Sequence, residues 1–350
     1  MKDTTVKDSA IKKLWTDALK TASPRPISVS RADLVNTYCL HSEKELPLVI
    51  EPRLGPIKLH DWAESNVEFI NEKLLRYGAL LFRGFALGSQ SDFEGFLRAL
   101  RVELLRYMES ATPRTELGDR IYTSTEFPPD QTIALHNELT YVSTWPMKIW
   151  FFCETPAEKG GETPIADVRN VLNRIDDRIR EEFVQKGWQL VRNYGDGYGP
   201  TWQQAFHLTD KDALEEYCQV NRIEYEWKGT DRLRTRQVRP AVAVHPKTHE
   251  RVWFNHIAFW HVSSLAPELR EILLQEFGDS GLPYNTFYGD GSSIEPSIVE
   301  VLRRSYSQET AVFEWQKGDL LMLDNMLVAH GRAPFVGRRR VLAAMGETGA

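Results

Sequence analysis

The chain has 350 residues, 42% of them hydrophobic, which is ample for a substantial buried core in one large domain or two small ones. Its 43 basic and 49 acidic side chains leave a formal charge of -6 with neither sign gathered in a long block, so neither nucleic acid nor an anionic membrane is an expected partner. Cys39, Cys153 and Cys218 are scattered and form no C-x-x-C pair, the N-terminal MKDTTVKDSAIKKLW lacks the apolar centre of a secretory signal, and no apolar run reaches about twenty residues; together these predict a cytoplasmic protein.

Residues 1–50 join a helical pattern, SAIKKLWTDALKTA, to an irregular proline-bearing stretch and read as a lead-in packed on the core, leaving 51–350 as one domain. From Leu59, HDWAESNVEFINEKLLRYG repeats Trp62, Val67, Ile70 and Leu74 or Leu75 at helical spacing and stops at Gly78. A buried strand is expected over Ala79–Phe82, and SQSDFEGFLRALRVE resumes the helical period behind a serine or aspartate cap. Beyond about Ile121 the pattern changes to short apolar or alternating runs: KIWFFCE, TPIADV, VRPAVAVHP, RVWFNHIAF, AVFEWQ, DLLMLDN and RRRVLAAMG. Such runs, punctuated by Gly and Pro, predict a mainly β barrel or double-sheet core. Helical insertions are expected around 168–235 and 264–305, notably Val168 to Lys186, Asp210 to Gln219 and Ala266 to Phe277.

The segment ALHNELTY is the most informative. On a strand, His136 and Glu138 at i and i+2 share a face, so an imidazole and a carboxylate can converge on one ion. A lone H-x-E is more often a pair of ordinary surface residues, and its company decides. His330 ends the strand-like run GDLLMLDNMLVAH and supplies a third ligand, completing the two-histidine, one-carboxylate triad of non-haem iron(II) oxygenases, which leaves three positions open. Ten residues on, Arg340 offers a guanidinium fork for the distal carboxylate of a dicarboxylate cosubstrate. Alternation puts Arg338 and Arg340 on one face and Arg339 on the other, and two of the three read as a solvated basic turn. In GGETPIAD, Thr163 opens a strand behind Gly160 and Gly161 and can donate its hydroxyl to the same carboxylate.

With GALLFRGF, TPRTELGDRIYTSTEFP, LHNELTY, WPMKIWFFCETPAEKGGETPIADVR, VWFNHIAFWH, YGDGSSIE and GDLLMLDNMLVAHGRAPFVGRRRVL, the chain from roughly Tyr77 onward resembles the taurine dioxygenase and clavaminate synthase (TauD/TfdA) superfamily, in its SyrP-like branch. The resemblance implies a double-stranded β-helix (jelly-roll, cupin-like) core flanked by helices. It also implies a dioxygenase using iron(II), 2-oxoglutarate and O2, with His136, Glu138 and His330 as metal ligands and Thr163 and Arg340 on 2-oxoglutarate. Taurine dioxygenase carries a second arginine where this chain has Ala344. Halogenating members replace the carboxylate ligand with a small residue, so Glu138 argues against chlorination. For substrate, the branch implies an amino acid, free or carried on a peptidyl carrier protein, hydroxylated at the β carbon; desaturation, epoxidation or cyclisation of a small natural-product intermediate is the alternative.

Candidate substrate residues are Gln131, Asn137, Asn255 and Arg114, whose ordinary readings are turn residue, outward strand residue, strand-end hydrogen bonder and surface ion pair. His256 and His261 read as packing residues or as neighbours that support the ligands, not as ligands themselves. Two rivals keep the barrel: a non-catalytic binding or sensor protein, which has no need of all three ligands, and a zinc hydrolase, which has no use for Arg340 and Thr163.

Overall fold

All four side chains of Ala79–Phe82 are shielded from water, which is what makes this short apolar run a strand. It pairs in parallel with Leu48–Pro52 and antiparallel with Leu320–Asp324. The computed structural model, which describes residues 34–106, 109, 115–124, 127–197 and 199–349, extends this pairing into an eight-stranded sheet. Its order is Val35–Cys39, Leu48–Pro52, Ala79–Phe82, Leu320–Asp324, Trp145–Thr155, Arg340–Gly349, Ile121–Thr123, Glu116–Gly118. A smaller sheet of Ile133–His136, Val328–Arg332 and Ile165–Asp167 faces it, and the Phe151 ring of the large sheet meets the His330 ring of the small one at 5.1 Å. These two sheets are the jelly roll, and residues 35–350 form one compact unit. The helical pattern SAIKKLWTDALKTA lies outside the described residues.

Local chemistry sets the helix boundaries. The helix expected from Leu59 is two, Leu59–Glu64 and Val67–Tyr77, because the Asn66 side chain donates to the Trp62 carbonyl and ends the first. Gly78 closes the second by donating its N–H to the Leu74 carbonyl. Ser89 and Asp92 form a reciprocal capping box on Gln90–Ala99. The segment from Val168 to Lys186 is also divided, into Val168–Arg174 and Asp177–Lys186, each capped by an aspartate, Asp167 and Asp176.

Four expectations need correction. The insertion at 168–235 holds its expected helices, Val168–Arg174, Asp177–Lys186 and Lys211–Val220, but also strands that were not expected: Trp188–Tyr194, Ile223–Lys228 and Arg232–Arg239 join Tyr284–Tyr288 in a four-stranded sheet. AVFEWQ forms no strand, although Ala311 makes a β-bridge to Ile165 of the small sheet. GDLLMLDNMLVAH is two strands, Leu320–Asp324 in the large sheet and Val328–Arg332 in the small one, divided by a turn at Asn325. Finally, RVWFNHIAF is a strand only over Arg251–Trp253; Asn255 then accepts the Ile257 N–H, and Ile257–Trp260 is a short helix.

Candidate active site

His136 ends one strand of the small sheet and His330 sits mid-strand directly opposite, in antiparallel register. Gly331 permits that close pairing, because a Cβ there would stand 2.6 Å from the Ile133 carbonyl oxygen. The two imidazole rings lie 4.5 Å apart. Glu138 is not on the strand: it begins the turn after His136 and swings its carboxylate back to within 3.9 Å of His330 Nε2. The expected convergence of His136 and Glu138 therefore arises from a turn and not from strand alternation. One ligand atom from each of His136, Glu138 and His330 lies within 4.8 Å of the others, and all three residues are buried.

Asn325 holds this turn in place. Its Oδ1 accepts the Glu138 N–H, while its Nδ2 donates to the carbonyls of Glu138 and Pro146. His136 Nδ1 donates to the Ala134 carbonyl at 2.9 Å, which fixes the tautomer with a lone pair on Nε2, facing the other ligands. Two buried imidazoles and a carboxylate with this spacing are a donor set that iron(II) accepts.

The triad stands between two hollows. On one side His136, His330, Thr163, Ser124, Arg332 and Arg339 border a narrow cleft. Arg339 donates to the Gly161 carbonyl and to Ser124 Oγ. Gly161 is required there, since a Cβ would come 2.9 Å from Arg339 Cδ. Burial, and then the neighbouring Arg332 guanidinium, push Arg339 down to about 10, which still leaves it cationic at neutral pH; burial likewise lowers Arg332. The like charges of the buried Arg332 and the half-buried Arg339 are relieved by an anion. Thr163 Oγ1 accepts from Trp315 Nε1 at 3.2 Å, so its own proton is available to a ligand.

Arg340, the expected cosubstrate residue, points the other way and pairs with Glu154 at 2.8 Å, 38% exposed. Alternation does separate Arg339 from its neighbours, but the inward member is Arg339. Counting back by twos from Val341, Ala343 and Met345, which pack in the core between the sheets, reaches Arg339 and skips Arg340; the one-residue irregularity between Arg340 and Val341 lies on the partner strand, at Glu154.

On the other side a cavity of about 670 Å³ opens, bordered by His136 and Glu138 and walled by Tyr141, His256, Phe259 and Trp260. Gln131 lines this cavity. Asn137 and Asn255 do not line it. Asn137 donates to the Asn325 carbonyl, and Asn255 donates to the Ala241 carbonyl while accepting from Ile257, so both are structural. Arg114 lies outside the described residues. His261 accepts from Ser263 N–H, away from the metal ligands. His256 is in the cavity wall beside the ligand His136, its pKa lowered well below 6.5 by burial and by the two ligand histidines. Sequence reasoning missed Asn325, Ser124 and Arg332. Only Arg332 carried a signal, two residues after His330 on the same strand face.

The family model for the taurine catabolism dioxygenase TauD, TfdA family matches residues 42–345. The dapdiamide synthesis protein DdaC of Enterobacter agglomerans is 41% identical over 276 residues, covering 79% of this chain and 84% of that protein. A clavaminate synthase-like protein of Arabidopsis thaliana is 30% identical over 326 residues, 87% of this chain and 94% of the relative. Among solved structures, PvcB of Pseudomonas aeruginosa superposes with a TM-score of 0.53 at 18% identity, covering 89% of this chain and 91% of its own. A putative taurine dioxygenase of Burkholderia xenovorans gives 0.51 at 17% identity, covering 90% and 93%. At these identities the structures speak for the fold.

Proposed function

The chain belongs to the TauD, TfdA family of iron(II)- and 2-oxoglutarate-dependent dioxygenases, and from that premise we propose that it hydroxylates an amino acid or amino-acyl group in natural-product biosynthesis. His136, Glu138 and His330 hold the metal, Arg339 and Thr163 bind 2-oxoglutarate, and the 670 Å³ cavity takes the substrate. The observation that carries this reading is the position of the buried triad, with a cleft holding two guanidiniums on one side and a large aromatic-walled cavity on the other. Residues 51–350 act as the single oxygenase domain.

Iron(II) with 2-oxoglutarate supplies oxidative decarboxylation of the cosubstrate to succinate and carbon dioxide, one oxygen atom of O2 entering a substrate C–H bond. The protein contributes placement and exclusion of water. Arg339 meets the distal carboxylate with a planar fork, Thr163 adds its hydroxyl proton, and Asn325 keeps Glu138 on the metal side of its turn. Phe259 and Trp260 wall the substrate side and shed water from it. The name of DdaC ties that relative to dapdiamide synthesis and supports a small natural-product intermediate as substrate here. Presentation on a peptidyl carrier protein is part of the proposal.

The test is O2-dependent succinate formation with iron(II) and ascorbate across free and carrier-loaded amino acids, with product mass. A gain of one oxygen coupled to succinate is expected. Succinate formed alongside an epoxide, which has the same mass gain and is told from an alcohol by NMR, or alongside a dehydrogenated or cyclised product replaces hydroxylation with the alternative outcome; no turnover of 2-oxoglutarate refutes the reading.

A further inference from the structure

Two polar atoms in the cavity wall are used neither by the triad nor by the fold. His256 lines the cavity with its ring 5.5 Å from that of His136. Its Nδ1 lies 2.6 Å from Thr140 Oγ1, and among the described residues its Nε2 has no hydrogen-bond partner. Thr140 decides which nitrogen carries the proton. Its hydroxyl is buried and has no other partner among the described residues. Were it to accept from Nδ1, its own proton would be stranded; donating to Nδ1 leaves only spare lone pairs. Nε2 therefore bears a hydrogen towards the cavity. The second atom is the Tyr284 hydroxyl, in the same wall, its ring edge-on to Trp260 at 4.6 Å and its oxygen without a partner among the described residues.

We propose that His256 Nε2–H and the Tyr284 hydroxyl form a substrate subsite for an uncharged carbonyl oxygen, that of an amide or thioester, whose side chain packs between the aromatic wall and the metal. This rests on the reading of the chain as an oxygenase acting on an amino-acid derivative. Both donors are neutral, and the surrounding wall of Tyr141, Phe259, Trp260 and Leu265 is largely apolar. A carbonyl needs no more than one or two neutral donors there. A carboxylate would lose its water shell with no guanidinium or ammonium among the described lining residues to replace it.

Apolar and aromatic amino acids are offered to the iron(II)- and 2-oxoglutarate-loaded protein in three forms: free acid, primary carboxamide, and thioester on a peptidyl carrier protein. Succinate formed above the substrate-free rate is measured. The expected result is a kcat/KM at least about tenfold higher for amide or thioester than for the free acid. Response to amides identifies a small-molecule source, and response to thioesters alone identifies the carrier; either supports the subsite. Preference for the free acid, or no response from any form, overturns it. For the preferred form, His256→Leu is expected to raise KM about tenfold, the value of one neutral hydrogen bond, and to erase the preference over the free acid. His256→Gln, which keeps an N–H, restores most of both. A merely structural His256 would lower turnover of every form equally, leaving the preference intact, and that result refutes the assignment. Substrate-free turnover of 2-oxoglutarate by the wild type separates the two failures: with it, the oxygenase reading survives the loss of the subsite; without it, both fall.

Discussion

Replacing Arg339 by methionine keeps the length and apolar stem of the side chain and removes the fork from the cosubstrate cleft. That fork donates to the Gly161 carbonyl at 2.9 Å and to Ser124 Oγ at 3.2 Å. With a carboxylate in front of it, two charge-assisted hydrogen bonds of about 1.5 kcal/mol each are at stake, and their loss weakens 2-oxoglutarate binding by about 3 kcal/mol, on the order of 150-fold in Kd. Arg340→Met is the control. It breaks an ion pair with Glu154 that is 38% exposed on the arginine side, worth at most about 1 kcal/mol to stability, and leaves the affinity for 2-oxoglutarate within about threefold of wild type. The assay is anaerobic calorimetric titration of 2-oxoglutarate into iron(II)-loaded protein. Tight binding by Arg339→Met together with a tenfold or greater loss in Arg340→Met refutes the assignment and returns the role to Arg340.

Thr163→Val removes the hydroxyl that accepts from Trp315; the Kd for 2-oxoglutarate should rise about tenfold in the same titration, and unfolding should come about 1–2 kcal/mol sooner because the Trp315 N–H is left unpaired. Asn325→Ala deletes three side-chain hydrogen bonds to the Glu138 turn and to Pro146, so a destabilisation of about 2–4 kcal/mol and a reduced iron content after anaerobic loading are expected; an unaltered iron content would separate Asn325 from the site. Burial holds His261 down at about 4, against 6.5 when exposed, so the unfolded chain binds the extra proton between those values. Stability is complete above 6.5 and is lost as pH falls towards 4, with about 2 kcal/mol gone at pH 5. Urea midpoints at pH 7 and pH 5 should converge in His261→Asn relative to wild type, and an equal spread in both proteins would contradict this source of acid sensitivity.

The parts legible in the sequence are those where one local signal governs. Ala79–Phe82 is apolar throughout and follows a glycine stop, and Ser89 with Asp92 spells a capping box. His136, Glu138 and His330 were legible as a set because chemistry restricts which residues can share an ion. Other features depend on partners far along the chain. Arg232–Arg239 alternates correctly, but its buried side is Leu233, Thr235 and Gln237, two of them polar. Gln237 is tolerated inside because it donates to the buried Glu109, a pairing no local window contains. The choice between Arg339 and Arg340 turned on which alternate residues of the last strand face the core between the sheets: Arg339 is in phase with Val341, Ala343 and Met345, but Leu342 and Ala344 are equally apolar and buried, so periodicity in a strand covered on both faces marks no inward side. Asn137 and Asn255 were drawn towards the substrate by type and nearness to the metal strand, yet the backbone needed their amides for turns.

The central claim is that His136, Glu138 and His330 together hold one iron(II), and anaerobic iron(II) titration of the wild type and of the three single alanine variants tests it most directly. The wild type should bind one iron per chain, His136→Ala and His330→Ala should each bind at least about a hundredfold more weakly with loss of oxygen-dependent succinate formation, and Glu138→Ala should lose oxygenation entirely. Iron bound with wild-type affinity and full hydroxylation by any of the three variants would contradict the account.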